Sequence, residues 1–188
     1  MESKSDLRVL RTRKAIKAAF EELVVEVGLD KITITSLTER AGINRKTFYL
    51  HYETIEDLFD ESVESILDDF FDNYETTPDK PEDIAGHAIR FFLFLADQPK
   101  LTEELICSSN RFYYGEKVYR MQMARYASEG NPLIDLPEGA MDLVLSFTRS
   151  TAREFYRRWV REGKVLPAEQ AAELLADLTC NGLSNLLK

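Results

Sequence analysis

The sequence predicts an all-α chain in which a three-helix N-terminal head with a helix-turn-helix precedes a larger helical body, about nine helices in total. Three observations predict it. Apolar residues recur at three- and four-residue spacings along nearly the whole length, the period of one helix face. Only 8 Gly and 6 Pro occur in 188 residues, low for a β-rich or disordered chain, while a hydrophobic fraction of 44% suffices for a packed core. Two very short helical runs on either side of Gly42 fit into residues 33–51, which is the spacing of a helix-turn-helix.

The first helix is expected over residues 8–27, with Ile16, Ala19, Phe20, Leu23 and Val27 on one face and Gly28 where a left-handed C-cap belongs. Thr33 can cap a second helix that reaches Ala41 with Leu37 facing inward, and Gly42 ends it. Asn44 can cap a third, from Arg45 to about His51. Thr54 and Asp57 have the spacing of a capping box for a long fourth helix, whose buried face is Leu58, Phe59, Val63, Ile66, Leu67 and Phe70. Residues 76–81, with two prolines, read as a turn near the boundary of head and body. Pro81 suits the first turn of the next helix, with Ile84, Ala88, Phe91, Phe92 and Leu95 on one side and Pro99 as its stop. A short helix at 101–106 and a longer one at 112–126 follow. Residues 128–137 form a loop, because Gly130, Asn131 and two prolines break any period.

The last two helices carry the most information outside the head. Residues 138–161 hold one apolar row at Ala140, Val144, Phe147, Thr151, Phe155 and Trp159, and a second at Met141, Leu145, Ala152 and Tyr156. A helix apolar on two sides buries one on its own core and the other on something else. After Gly163 and Pro167 a final helix carries Leu174, Leu175, Leu178, Gly182, Leu183 and Leu186. Its small residues Ala168, Ala171, Ala172, Ala176 and Gly182 permit close helix approach. Paired with the same two helices of a second copy, they would make a four-helix interface through Phe155, Trp159, Leu175, Leu178, Gly182 and Leu186.

Composition excludes several classes. No stretch approaches the roughly 20 apolar residues of a membrane span, and the charged residues among Met1 to Leu10 leave no signal-peptide core. Cys107 and Cys180 lack CxxC or Cys/His company and suit two small, mostly buried side chains in a reducing cytoplasm. His51 and His87 lack ligand-spaced partners, so no metal and no cofactor is expected. There is no Gly-rich phosphate loop or nucleophile elbow, so an enzyme is not expected either. The net charge of −9 is unevenly spread. Residues 1–52 carry ten Lys/Arg against seven Asp/Glu, and the remainder fourteen against twenty-six. A basic head on an acidic body can touch phosphates with one end only.

The run from Thr33 to Tyr52 carries the function. Leu37, Ile43, Phe48 and Tyr52 are spaced to pin the second short helix onto the first helix. That leaves Arg45, Lys46 and Thr47, near its start, free to enter a major groove. Arg45 and Lys46 can each donate to guanine or to phosphate. Ala41 and Gly42 are small, which suits a close helix crossing and a permissive turn.

In Thr33, Leu37, Ala41, Gly42, Ile43, Thr47, Phe48, Tyr49, His51 and Tyr52 the chain resembles the TetR family of bacterial regulators, over about a third of its length. The resemblance implies a DNA-binding head at residues 1–53 and an effector-binding and dimerisation body at 54–188. It implies backbone contacts to double-stranded DNA from Tyr49, His51, Thr33 and Thr35, and a homodimeric repressor on a palindromic operator. It also implies a small apolar or aromatic effector, with Phe91, Phe92, Phe112, Tyr113, Tyr119, Met123 and Phe147 as candidate lining. The stretch 155–163, followed by Pro167, is similar to one C-terminal subgroup of the family. The alternative is an architectural or cell-division-linked DNA-binding protein of the same shape. One departure stands out: where the family usually places a Lys at the start of the following helix, this chain has Ile55, followed by Glu56 and Asp57. Binding is therefore expected to be somewhat weak and strongly salt-sensitive unless Arg8, Arg11, Arg13 and Lys14 compensate.

Overall fold

Caps and periodicity decide where the helices begin and end. The computed structural model describes residues 4–73, 84–107, 137 and 139–181. Among these the chain is all-α, with eight α-helices, one 3-10 turn and no strand. They are α1 (Lys4–Val27), the 3-10 turn Leu29–Lys31, α2 (Ile34–Arg40), α3 (Arg45–Tyr49), α4 (Ile55–Asn73), α5 (Ile84–Ala96), α6 (Lys100–Cys107), α7 (Ala140–Arg161) and α8 (Ala168–Asn181). The helix expected at 112–126 lies outside the described residues, as does nearly all of the loop before Pro137. No helix among the described residues is long and apolar enough to cross a membrane.

The described residues fall into two compact units. The first contains α1 to α3, α4 as far as Glu64, and α6. Its core is Ile16, Phe20, Leu23 and Val24 of α1, Leu37 of α2, Phe48 of α3, Tyr52, Leu58, Phe59 and Val63 from the α4 region, and Leu105 and Ile106 of α6. Helix α6 packs on α1, a long-range contact that closes the unit. Pro99, expected to stop the preceding helix, also begins α6: its carbonyl accepts the Thr102 and Glu103 N–H groups at 3.0 and 3.3 Å.

The second unit contains the remainder of α4 with α5, α7 and α8. Helix α5 lies along α8, whose Ala171, Ala172 and Ala176 are buried. Alanines on the facing side let the helix axes approach closely. An aromatic cluster joins α5 to α7. Phe92 sits 5.7 Å from the Tyr156 ring and 5.1 Å from Trp159, and the Tyr156 hydroxyl donates to the Leu95 carbonyl at 3.0 Å. Phe70 of α4 meets Phe91 edge-on at 4.8 Å.

Two local expectations change. Gly28 is not a left-handed cap: its φ of 83° comes with ψ of 147°, because the chain turns straight into the 3-10 segment, whose Lys31 N–H donates to the Gly28 carbonyl. That backbone region is essentially confined to glycine. The cysteines are not both buried. Cys107 is half-buried, and Cys180 is exposed near the end of α8, beyond its buried alanines.

Candidate DNA-binding surface

Two short helices cannot hold themselves, so their ends are tied by side chains. Thr33 caps α2: its Oγ1 accepts the Ser36 N–H at 3.1 Å, and the Ser36 Oγ accepts the Thr33 N–H at 3.1 Å. This is a complete capping box with serine in place of the usual Glu or Gln, which is why the residue pattern alone did not point to Ser36. Buried Thr38 donates its hydroxyl to the Ile34 carbonyl at 2.8 Å. The chain then reverses at Gly42, with φ of 66°, and the Ile43 N–H reaches the Thr38 carbonyl at 3.0 Å. A Cβ at Gly42 would meet nothing within 4 Å, so its positive φ, and not a close helix crossing, is what calls for glycine there.

Asn44 caps α3, with its Oδ1 accepting the Thr47 N–H at 2.8 Å and the Thr47 hydroxyl at 3.1 Å. Phe48 is the only buried residue of this five-residue helix. Its ring packs edge-on against Tyr49 at 5.5 Å and 6.0 Å from Tyr52. With Phe48 turned inward, Arg45, Lys46 and Tyr49 are exposed, and Thr47 and His51 are half-buried. Thr33 and Thr35, also exposed, lie at the start of α2. The Arg45 Nη2 donates to the Thr35 Oγ1, so these two predicted DNA contacts touch each other across the motif. Thr47, expected to face bases, has committed its hydroxyl proton to the cap.

Other ties orient the motif on its scaffold. Arg40 of α2 bridges Glu22 and Glu26 of α1 at 3.1 and 2.6 Å. The hydrogen bond from Arg40 holds the Glu26 carboxyl below its ordinary value of 4.5. Behind α3, Glu61 of α4 accepts from the Arg13 Nη2 at 2.7 Å and from the Tyr52 hydroxyl at 3.0 Å, while the Arg13 guanidinium lies 5.2 Å from the Tyr52 ring centroid. The Tyr52 phenol is pushed up, first by burial and then by the bond to Glu61. Sequence reasoning missed Glu61. Its partners are 9 and 48 residues away, and no local pattern signals such a meeting.

At the start of α4, Ile55 is half-buried. Asp57 is a cap as much as a surface charge: its Oδ2 accepts the Glu53 and Thr54 N–H groups at 2.7 and 2.9 Å, and the Thr54 Oγ1 accepts the Asp57 N–H at 3.2 Å. Of the four basic residues of α1 that could compensate for Ile55, Arg13 is engaged by Glu61, while Arg8, Arg11 and Lys14 are exposed.

The second unit places the remaining predicted residues less uniformly. Phe92 is buried among Phe155, Tyr156 and Trp159, and Phe91 is half-buried against Phe70. Phe147 is 61% exposed on α7, beside Leu143 at 74% and Val144 at 40%. Trp159 and Leu175 are buried within the unit, and the Trp159 indole N–H donates to the Leu166 carbonyl at 2.7 Å. Phe155 and Leu178 are half-buried. Phe112, Tyr113, Tyr119, Met123, Gly182 and Leu186 lie outside the described residues.

Residues 16–62, which span the motif and its scaffold, match the family described as bacterial regulatory proteins, tetR family. Over this stretch the head is similar to the TetR family. An uncharacterized HTH-type transcriptional regulator of Bacillus subtilis, YxbF, is 34% identical over 73 residues, 38% of this chain and 19% of that protein. The match thus spans about a fifth of that relative's length. The HTH-type transcriptional repressor KstR2 of Mycobacterium tuberculosis is 24% identical over 86% of this chain and 88% of its own. Among solved structures, NalD, the secondary repressor of the MexAB-OprM multidrug efflux pump in Pseudomonas aeruginosa, shares the fold with a TM-score of 0.64. It does so at 16% identity, over 93% of this chain and 96% of NalD. The complex of SmeT with triclosan, SmeT being the repressor of a Stenotrophomonas maltophilia efflux pump, has a TM-score of 0.56 at 19% identity, with 90% of each chain covered.

Proposed function

We propose that the chain is a cytoplasmic, homodimeric transcriptional repressor that binds a palindromic operator and is released by a small apolar or aromatic effector. The carrying observation is the exposed surface of α3, where Arg45, Lys46 and Tyr49 stand out from a helix anchored by the buried Phe48, on a TetR-type head. In this reading Arg45, Lys46 and Thr47 face the major groove, while Tyr49, His51, Thr33 and Thr35 meet the sugar-phosphate backbone. Residues 1–53 bind DNA, and residues 54–188 hold the effector and the second copy.

Dimerisation is supported by the apolar surface of α7 at Leu143 and Val144, with Phe155 and Leu178 half-buried. Trp159 and Leu175 support that interface from beneath, since their own surfaces are covered within the unit. Gly182 and Leu186 complete the set. The effector is supported by likeness of fold to SmeT, which is seen in complex with triclosan. Phe91 and Phe147, with Phe112, Tyr113, Tyr119 and Met123, would line its site, and Phe92 would back it from the core.

The test is selection of genomic DNA fragments by the purified full-length protein, followed by gel shift on the recovered sites. A few palindromic sites near promoters are expected, weakened by Arg45→Ala, Lys46→Ala and Tyr49→Phe. Unchanged shifts in all three variants would refute the assignment. Dozens of dispersed sites would refute the repressor role while leaving the DNA binding intact.

A further inference from the structure

Resting on the reading that α3 meets DNA, we propose that Thr35 is a positioning residue that holds the Arg45 guanidinium for base readout, so that Arg45 rather than Lys46 sets the sequence preference. The two side chains come from the first turns of different helices. Thr35 is the second residue of α2 and Arg45 the first of α3, and the Arg45 Nη2 donates to the Thr35 Oγ1. The backbone beneath the pair is fixed on both sides. Thr33 and Ser36 close the α2 cap, Asn44 closes the α3 cap, and Gly42 sets the turn between them. The Thr35 hydroxyl takes no part in either cap.

The chemistry of the two groups fits this division of roles. A guanidinium has five N–H donors on a rigid fork, so the bond to Thr35 leaves enough of them for the O6 and N7 of a guanine. A threonine hydroxyl accepts from the arginine and keeps its own O–H for a phosphate oxygen, tying base readout to the backbone grip. An exposed arginine loses rotamer freedom when it docks, and a side chain already held in place loses less. Lys46 follows Arg45 on α3, exposed and roughly 100° further round the helix. Its compact ammonium serves a phosphate as a point charge.

The experiment selects a random-sequence duplex library with the full-length protein, then measures affinity for the best duplex and its single-base variants by fluorescence anisotropy. Arg45→Ala should abolish a preference of about tenfold at a guanine position. Thr35→Val should cut the same preference roughly three- to tenfold, Thr35→Ser should retain it, and Lys46→Ala should weaken all duplexes alike. In the Arg45→Ala background, Thr35→Val should reduce the preference no further, because a positioning residue acts only through its partner. The proposal is overturned if Thr35→Val weakens matched and mismatched duplexes equally, as a plain phosphate contact would, or if Lys46→Ala is the variant that erases the preference. Circular dichroism melts accompany each variant, and the Thr35→Ser and Thr35→Ala pair gives the same comparison should Thr35→Val melt early. A library from which the unaltered protein enriches no sequence overturns the DNA reading itself, a result distinct from any pattern among the variants.

Discussion

Removing the Phe48 ring should undo the recognition helix while leaving its DNA-facing residues in the chain. Phe48 is fully buried and is the only buried residue of the five-residue α3. A helix of that length has no stability of its own, so docking maintains it. Phe48→Ala removes the ring that packs on Tyr49 and Tyr52 and leaves a cavity beneath the helix. Truncations of this kind cost about 3–5 kcal/mol, a large part of the roughly 5–15 kcal/mol that holds a domain together. Such a loss multiplies the undocked population of α3 by a factor on the order of a hundred or more. Urea melts followed by circular dichroism give the global cost, and native-state hydrogen exchange at residues 44–52 shows whether this segment opens first. Lys46→Ala, at an exposed position, should change stability by no more than about 0.5 kcal/mol. A loss below about 1 kcal/mol for Phe48→Ala, with exchange at residues 44–52 unchanged, would refute the argument that one buried ring holds the helix.

Three further outcomes follow from the same geometry. Ile55→Lys should tighten operator binding severalfold and steepen the salt dependence, by about one unit in the slope of log K against log salt, and an unchanged slope would show that position 55 does not reach a phosphate. The Glu26 carboxyl, held low by Arg40, contributes stability that is present above its ordinary value of 4.5 and lost as pH falls through its lower folded value. Titration by NMR should return Glu26 to the ordinary value in Arg40→Ala, and an unmoved midpoint would exclude the pair as the cause. Gly42→Ala should destabilise the head by about 1–2 kcal/mol through its positive φ alone, because there is room for the methyl group; a thermal melt matching that of the parent protein would contradict this.

Features that depend on neighbours three or four residues apart were legible in the sequence. The helical period, the Thr33, Asn44 and Thr54–Asp57 caps and the turn at Gly42 are short-range, so residue types at fixed offsets suffice to predict them. The outward side of α3 followed from the inward spacing of Phe48 and Tyr52, since a helix that buries one face must present the other. Gly28 shows the limit even at short range, because the conformation of a glycine depends on what the chain does next.

Only the tertiary structure decided which of the apolar faces met. Trp159 and Leu175 lie on stripes that could equally have faced a second copy, and packing against α5 and the Leu166 carbonyl put Trp159 inside its own unit. Glu61 gathers Arg13 and Tyr52 from other parts of the chain, and Arg45 finds Thr35 ten residues upstream, because tertiary packing brings their segments together. Periodicity names the face of a helix that must be covered. It does not name the partner, which is selected by shape and hydrogen bonding among all the faces available at once.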